Sequence, residues 1–342
     1  MSLYPLKFKP RFVEKMWGGR KLETVLGKAL PPDKPIGESW ELYDFPPGVV
    51  DASDRWVSAQ IANGPLAGRT LQSLITEFGE QLHGDVPLAG PHGQLPILVK
   101  FLDAREDLSV QVHPDQEYAS THPGAHLKSE AWYVLENDPG ARILKGLRPG
   151  VTRESFRDAI NAGTVEQVIN AIPAKPGQCF YLPSGTIHAL GAGILVAEIQ
   201  TPSDTTFRLF DFNRVDPSTG KHRTLHVEQA LACVDFSGKP EPQQPRSHVA
   251  GFFTTVSRLV TSDYFKLEKI RMTEGVEELV PYDEPVVWIM LQGTAELRVT
   301  DVTEPTTLTK GETVLLPARM KDPIIKTTSD CQWLEVTFPT GA

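Results

Sequence analysis

Gly177-Gln-Cys-Phe-Tyr-Leu-Pro183-Ser-Gly185-Thr-Ile-His188 is the stretch whose reading decides the fold. Phe180 to Leu182 make a short apolar run suited to a strand. Pro183 then fixes one φ and Gly185 permits a positive one, so Pro183-Ser184-Gly185 forms a tight turn. His188 opens the strand that follows. A lone histidine on an apolar strand is ordinarily a satisfied core residue, but the turn in front of this one favours a ligand.

Working outward, the texture of the chain is mainly β. Its 342 residues hold 29 prolines and 27 glycines between short runs rich in Val, Ile, Leu and aromatics, which reads as many strands with frequent turns. The length suits two domains. Strands are expected at 97–101, 108–113, 130–135, 141–144, 179–182 and 195–200. Helical inserts are expected at about 65–85 and 152–172. In the first, Leu71, Leu74, Ile75, Phe78 and Leu82 recur at helical spacing. In the second, Thr152 to Ala162 is followed by Thr164 to Ile172, where Thr164 and Gln167 form a capping-box pattern. A further short helix is expected over 227–233.

Ser237 to Arg246 carries three prolines among mostly polar residues, and the domain boundary is placed there, with domains over 1–240 and 247–342. Beyond it the chain repeats a theme. Glu284 to Arg298 echoes Ser129 to Ile143, matching Trp288 to Trp132, and Lys310 to Pro317 echoes Pro176 to Pro183 in phase. Two β-barrels of one type are the natural inference. In the second, the place of Glu130 falls on Val286 and that of His188 on Asp322, so this barrel is expected to lack a metal site.

Net charge is −9 with no Lys/Arg run, which disfavours nucleic acid as a partner. No apolar stretch reaches membrane-spanning length, and Met1 to Pro5 lacks the basic and apolar regions of a signal peptide. Cys179, Cys233 and Cys331 are odd in number and widely spaced, so they read as small buried hydrophobes in a reducing compartment. A cytoplasmic protein is expected.

Leu108-Ser-Val-Gln-Val-His113 alternates, which puts Ser109, Gln111 and His113 on one strand face. Three polar side chains on a face are costly in a dry core and reasonable beside a wet or metal-filled cavity. Glu130 adds a carboxylate at the start of the next strand. With His188 the set is two imidazoles and a carboxylate, and Gln111 is a possible fourth donor. Catalytic zinc sites use such a set with a position left for water, and so do non-haem iron oxygenases, so spacing alone leaves the metal open. Lys128 keeps the strand parity of Glu130, and Arg208 lies in Ser203-Asp-Thr-Thr-Phe-Arg208-Leu-Phe-Asp211. Both would suit an anionic substrate. The bland alternatives are a solvated lysine and an arginine paired with Asp211. The other seven histidines read as structural or exposed.

The spacing from Gly177 to His188 (glycine, five residues, proline, one residue, glycine, two residues, histidine) resembles the second motif of the cupin β-barrel, with Ala192 where an asparagine would end it. Over roughly residues 10 to 235 the chain also resembles type I mannose-6-phosphate isomerase. The matching segments, in family order, are Trp17-Gly-Gly, Gly37-Glu-Ser-Trp-Glu41, Leu108 to Pro114, Lys128-Ser-Glu-Ala-Trp-Tyr133, Pro183 to Leu190, Glu198-Ile-Gln200, Ser203-Asp204 through Arg208, and Arg223-Thr-Leu-His226. This resemblance implies a bicupin fold, two jelly-roll barrels with helical insertions in the N-terminal half. It also implies an enzyme with one Zn2+ per chain that interconverts mannose 6-phosphate and fructose 6-phosphate. The metal ligands then fall on His113, Glu130 and His188 with Gln111 as the fourth, the active-site arginine on Arg208, and the substrate-facing lysine on Lys128. Ser109 could hydrogen-bond the phosphate. A silent sugar-phosphate-binding bicupin and an iron oxygenase on the same ligands are the alternatives. Two departures, Leu127-Lys-Ser-Glu130 and Thr206-Phe-Arg208, leave the charged residues in place.

Overall fold

Alternation of side chains across strands organises most of the molecule into two pairs of sheets, with two short two-stranded ribbons besides. The computed structural model describes residues 2–339 apart from 48, 51–54, 91, 217–218, 240–243 and 245–246. The expected mainly β architecture is observed. In the N-terminal half, a six-stranded sheet runs in the order Cys179–Leu182, Glu130–Asn137, Ile194–Gln200, Leu98–Ala104, Arg11–Gly19, Ile36–Leu42. Facing it is a five-stranded sheet ordered Ile169–Pro173, Arg142–Leu147, His188–Leu190, Val110–Val112, Phe207–Phe210. The C-terminal half has a seven-stranded and a four-stranded sheet.

Each layer of core follows from the period-2 pattern. Trp132 and Val134 join Leu102, Val196, Leu182 and Leu190 between the two N-terminal sheets. The intervening Ala131 and Tyr133 point the other way, into a cluster shared with Val287, Ile289, Leu334 and Val336 of the C-terminal half. The outer face of the five-stranded sheet is covered by the helices Arg153–Ala162 and Val227–Cys233, through Phe156, Ala230 and Leu231. The two halves are also tied by the strand Leu6–Lys7, which pairs with Thr313–Leu316.

The repeat holds in register. Trp132 stands opposite Phe180 and Glu198, and Trp288 stands opposite Val314 and Glu335. Glu130 faces Leu182 as Val286 faces Leu316. Asp322 is exposed and lies outside a strand. Most of the expected boundary segment, residues 240–243 and 245–246, lies outside the described residues. Among those residues no helix is long and apolar enough to cross a membrane.

One expected helix is corrected. The block 152–172 is helical only over Arg153–Ala162, capped by Thr152 and ended at Gly163. The capping box is formed by Thr152 with Ser155, while Thr164 makes no side-chain cap. Past a single 3-10 turn at Val165–Val168 the chain becomes the strand Ile169–Pro173, paired with Arg142–Leu147. Pairing in the sheet leaves Ile169 fully buried, and tertiary burial overrides a local cap signal. The first insert is helical over Leu71–Phe78 and Glu80–His83, interrupted at Gly79.

Two glycines are required by geometry. Gly185 has φ 83°, the left-handed conformation that the turn before His188 demands. At Gly18, a Cβ would stand 2.4 Å from the backbone nitrogen of Gly37, so the segments Trp17-Gly-Gly and Gly37-Glu-Ser-Trp-Glu41 mark a close crossing of two strands.

Candidate metal centre

The turn at Pro183 to Gly185 returns the chain so that His188 lies directly opposite Gln111 on the neighbouring strand. His113 follows two residues beyond Gln111 on the same face. Glu130 opens the adjacent strand of the facing sheet, opposite Leu182 and Gln200. The result is one cluster. His188 Nε2 is 3.1 Å from Glu130 Oε1 and His113 Nε2 is 3.6 Å from Glu130 Oε2. One ligand atom from each of the three residues lies within 4.8 Å of the others, and it is the only such group among the described residues. Exposure is 2% for His113, 0% for Glu130 and 1% for His188, so any partner these atoms have must be inside the protein.

Both rings are fixed from behind. His113 Nδ1 donates to the Thr205 carbonyl at 2.9 Å, and His188 Nδ1 donates to the Thr186 carbonyl at 2.8 Å. A carbonyl only accepts, so each Nδ1 carries the proton and each Nε2 presents a lone pair forward. His113 Nε2 and both Glu130 oxygens are buried without an aligned hydrogen bond. Converging, unsatisfied lone pairs are costly unless a cation occupies the space between them. The donor set fits a divalent metal ion.

Lys128 is not solvated. It is 5% exposed, with Nζ 2.8 Å from Glu130 Oε2. Burial alone would raise the Glu130 pKa, but Lys128 and the two imidazoles outweigh it and hold the carboxylate well below its usual range. Burial and the same lysine push His113 down to about 3, so its ring is neutral and able to act as a ligand. Gln111 Nε2 is 3.4 Å from His188 Nε2. Turning that amide over would present Oε1 to the same space.

Ser109 and Arg208 meet beside this cluster. Arg208 lies opposite Gln111 and donates from Nε to Ser109 Oγ at 3.2 Å and from Nη1 to the Thr224 carbonyl at 3.0 Å. Asp211 is bound instead by Arg214, at 2.5 Å, and by Arg223. The alternative of an Arg208–Asp211 pair is therefore not what forms, and Arg208 makes no ion pair among the described residues. His226 packs behind Arg208, its backbone N–H donating to the Arg208 carbonyl at 2.7 Å.

Sequence reasoning missed a second layer of buried charge. Lys100 Nζ lies 3.6 Å from Glu198 and 4.0 Å from Glu38, and Trp132 Nε1 donates to Glu198 Oε1 at 2.9 Å. Burial and repulsion from Glu130 raise the Glu198 pKa, opposed by Lys128 and Lys100. Glu38 is held down to about 2 by Lys15 and Lys100 against its burial. The signal was a single charge inside each of two apolar runs, Leu98-Val-Lys100-Phe and Val196-Ala-Glu198-Ile, on the inward parity.

Comparisons with known proteins identify the chain's relatives. Residues 5–144 match the model of the phosphomannose isomerase type I catalytic domain. The chain is 36% identical over 320 residues to the mannose-6-phosphate isomerase of Streptococcus mutans, covering 93% of each. It is 33% identical over 324 residues to mannose-6-phosphate isomerase ManA of Bacillus subtilis, covering 93% of this chain and 94% of that protein. The crystal structure of the mannose 6-phosphate isomerase from Bacillus subtilis superposes with a TM-score of 0.84 at 31% identity, covering 99% of this chain and all of that one. With a buried His/Glu/His cluster and relatives matched along nearly its whole length, this chain belongs to the type I phosphomannose isomerases, a family of aldose-ketose isomerases.

Proposed function

We propose that the protein interconverts mannose 6-phosphate and fructose 6-phosphate through an enediol(ate), with one zinc ion per chain. The observation that carries this reading is the convergence of buried ligand atoms on His113, Glu130 and His188, with His113 Nε2 and both Glu130 oxygens lacking a hydrogen bond, beside an arginine with no carboxylate partner among the described residues. Gln111, with its amide turned so that Oε1 faces the cluster, would serve as a fourth ligand. When bound, zinc supplies Lewis acidity at the C1 and C2 oxygens without redox chemistry.

The protein's own groups do the rest. Moving a carbonyl between C1 and C2 requires taking a proton from one carbon and returning it to the next, and the charge that develops needs preorganised donors. Arg208 and Ser109 hold the phosphate or the developing enediolate, with the Arg208 fork already oriented by Ser109 and Thr224. Lys128 adds a second cation at the edge of the ligand set. Glu198 is a buried carboxylate of raised pKa outside the ligand set, and we assign it the proton transfer between C1 and C2. An oxygenase reading leaves Arg208 and Lys128 without a task.

We place the catalytic domain over 1–240 and a C-terminal barrel without metal ligands over 247–342, each a cupin barrel. Support comes from the shared register around Trp132 and Trp288. The three cysteines form no disulfide, which suits a cytoplasmic enzyme.

The test is a coupled assay of mannose 6-phosphate conversion to fructose 6-phosphate on protein as purified, after chelation, and after zinc is restored. Activity lost and regained with zinc is expected. Folded, zinc-loaded protein that shows no turnover would overturn the reading.

A further inference from the structure

Trp132 belongs neither to the ligand set nor to the substrate anchors, yet it touches both a ligand and the buried carboxylate. It is fully buried, its Nε1–H donates to Glu198 Oε1 at 2.9 Å, and its ring centroid lies 5.2 Å from that of His188 at an interplanar angle of 83°. Glu198 Oε2 makes no hydrogen bond among the described residues, and its nearest cation, Lys100 Nζ, stands 3.6 Å away.

The C-terminal half contains the same pair as an internal control. Trp288 occupies the corresponding register and donates to Glu335 Oε2 at 2.8 Å. There the other oxygen is taken as well, by the Tyr282 hydroxyl at 2.5 Å, and Trp333 Nε1 approaches Oε2 at 3.5 Å. Val286 stands where the first half has Glu130. One copy of the pair is fully satisfied and lies among apolar side chains. The other is hydrogen-bonded at one oxygen, while the second makes no hydrogen bond among the described residues and pairs only with Lys100 at 3.6 Å. The hydrogen bond itself is thus an element of the fold, and what distinguishes the N-terminal copy is a second oxygen with no hydrogen bond among the described residues, held only by the Lys100 ion pair.

Resting on the isomerase reading above, we propose that Trp132 is a positioning residue. Its N–H fixes Oε1 of Glu198 so that Oε2 is presented to the substrate carbons, and its ring edge holds the His188 imidazole in plane. Misplacing a reacting group by about 1 Å can cost on the order of 100-fold in rate, whereas ground-state binding of the sugar phosphate depends on groups elsewhere.

The experiment compares Trp132→Phe with Trp288→Phe in zinc-loaded full-length protein. For Trp132→Phe, kcat is expected to fall about 10- to 100-fold with KM within about threefold and zinc per chain unchanged. Trp288→Phe should lower the melting temperature comparably and leave kcat at the wild-type value. In a Glu198→Gln background, Trp132→Phe should change kcat by less than about twofold, because the group it positions is already gone. If Trp132→Phe does not fold, Trp132→His and Trp132→Met give the same contrast, a ring N–H donor present against absent. Wild-type kcat in Trp132→Phe, an equal kcat loss in Trp288→Phe, or a full additional loss in the Glu198→Gln background overturns the inference while the isomerase reading stands. No turnover in zinc-loaded wild-type protein overturns both.

Discussion

Arg208→Ala should remove most of the turnover and none of the metal. The side chain donates to Ser109 Oγ at 3.2 Å and to the Thr224 carbonyl at 3.0 Å, and neither partner is charged, so the guanidinium keeps its positive charge for an anion. Losing one preorganised donor to developing negative charge costs about 100- to 1000-fold, or about 3–4 kcal/mol. The structural cost is smaller. Two hydrogen bonds to a charged donor disappear, each worth about 1.5–3 kcal/mol at most, and water can reach both partners once the side chain is gone. The variant should therefore fold with a modestly lowered urea midpoint. Arg208→Lys keeps the charge but loses the planar fork, so its turnover should lie between those of wild type and the alanine variant. The assay is the coupled conversion of mannose 6-phosphate, run beside zinc quantification and urea denaturation. Turnover within about threefold of wild type would remove Arg208 from the mechanism. Loss of zinc together with turnover would make it a support of the Gln111 strand instead.

Asp44 offers a pH test. Its carboxyl is 1% exposed with no well-aligned hydrogen bond, and burial, only partly opposed by Ser58 and Leu95, pushes its pKa up to about 7. The folded state therefore binds a proton that the unfolded chain releases near 4, so this group lowers stability progressively from about pH 4 to 7 and fully above that. Asp44→Asn should remove as much as about 4 kcal/mol of that loss, seen as a flatter dependence of urea stability on pH. An unchanged pH slope would refute the assignment. Gly18→Ala places a Cβ 2.4 Å from the Gly37 backbone nitrogen and should cost about 1–3 kcal/mol or more by overpacking. A wild-type thermal melt for that variant would mean the two strands can separate cheaply.

The parts of the site legible in sequence were those that local pattern fixes. Alternation in Leu108 to His113 oriented Ser109, Gln111 and His113, the turn at Pro183 to Gly185 placed His188, and equal spacing matched Trp288 to Trp132, which stand opposite Glu335 and Glu198 in the same way. Lys100 and Glu198 escaped because their pairing exists only once their two strands are neighbours, opposite one another in register. A lone charge in an apolar run does not announce its partner. The helix expected at 164–172 failed for the same reason, since the gain from pairing Ile172 with Ile143 is non-local. The two-residue strand Leu6–Lys7 is too short to carry any periodicity, so its place in the C-terminal sheet was invisible.

The core shared between the halves bears on how the protein is made. Phe101, Tyr133, Leu195 and Ile199 of the N-terminal half share one core cluster with Phe265, Leu267, Leu334 and Val336, which are synthesised later. The strand Leu6–Lys7 waits for residues 314 and 315 before its ladder can close. The half that holds His113, Glu130 and His188 therefore leaves the ribosome first with one apolar sheet face still wet. It reaches its final packing only after the last strand, Cys331–Thr337, has emerged. A chain stopped short of that strand would carry His113, Glu130 and His188 and still be a substrate for chaperones.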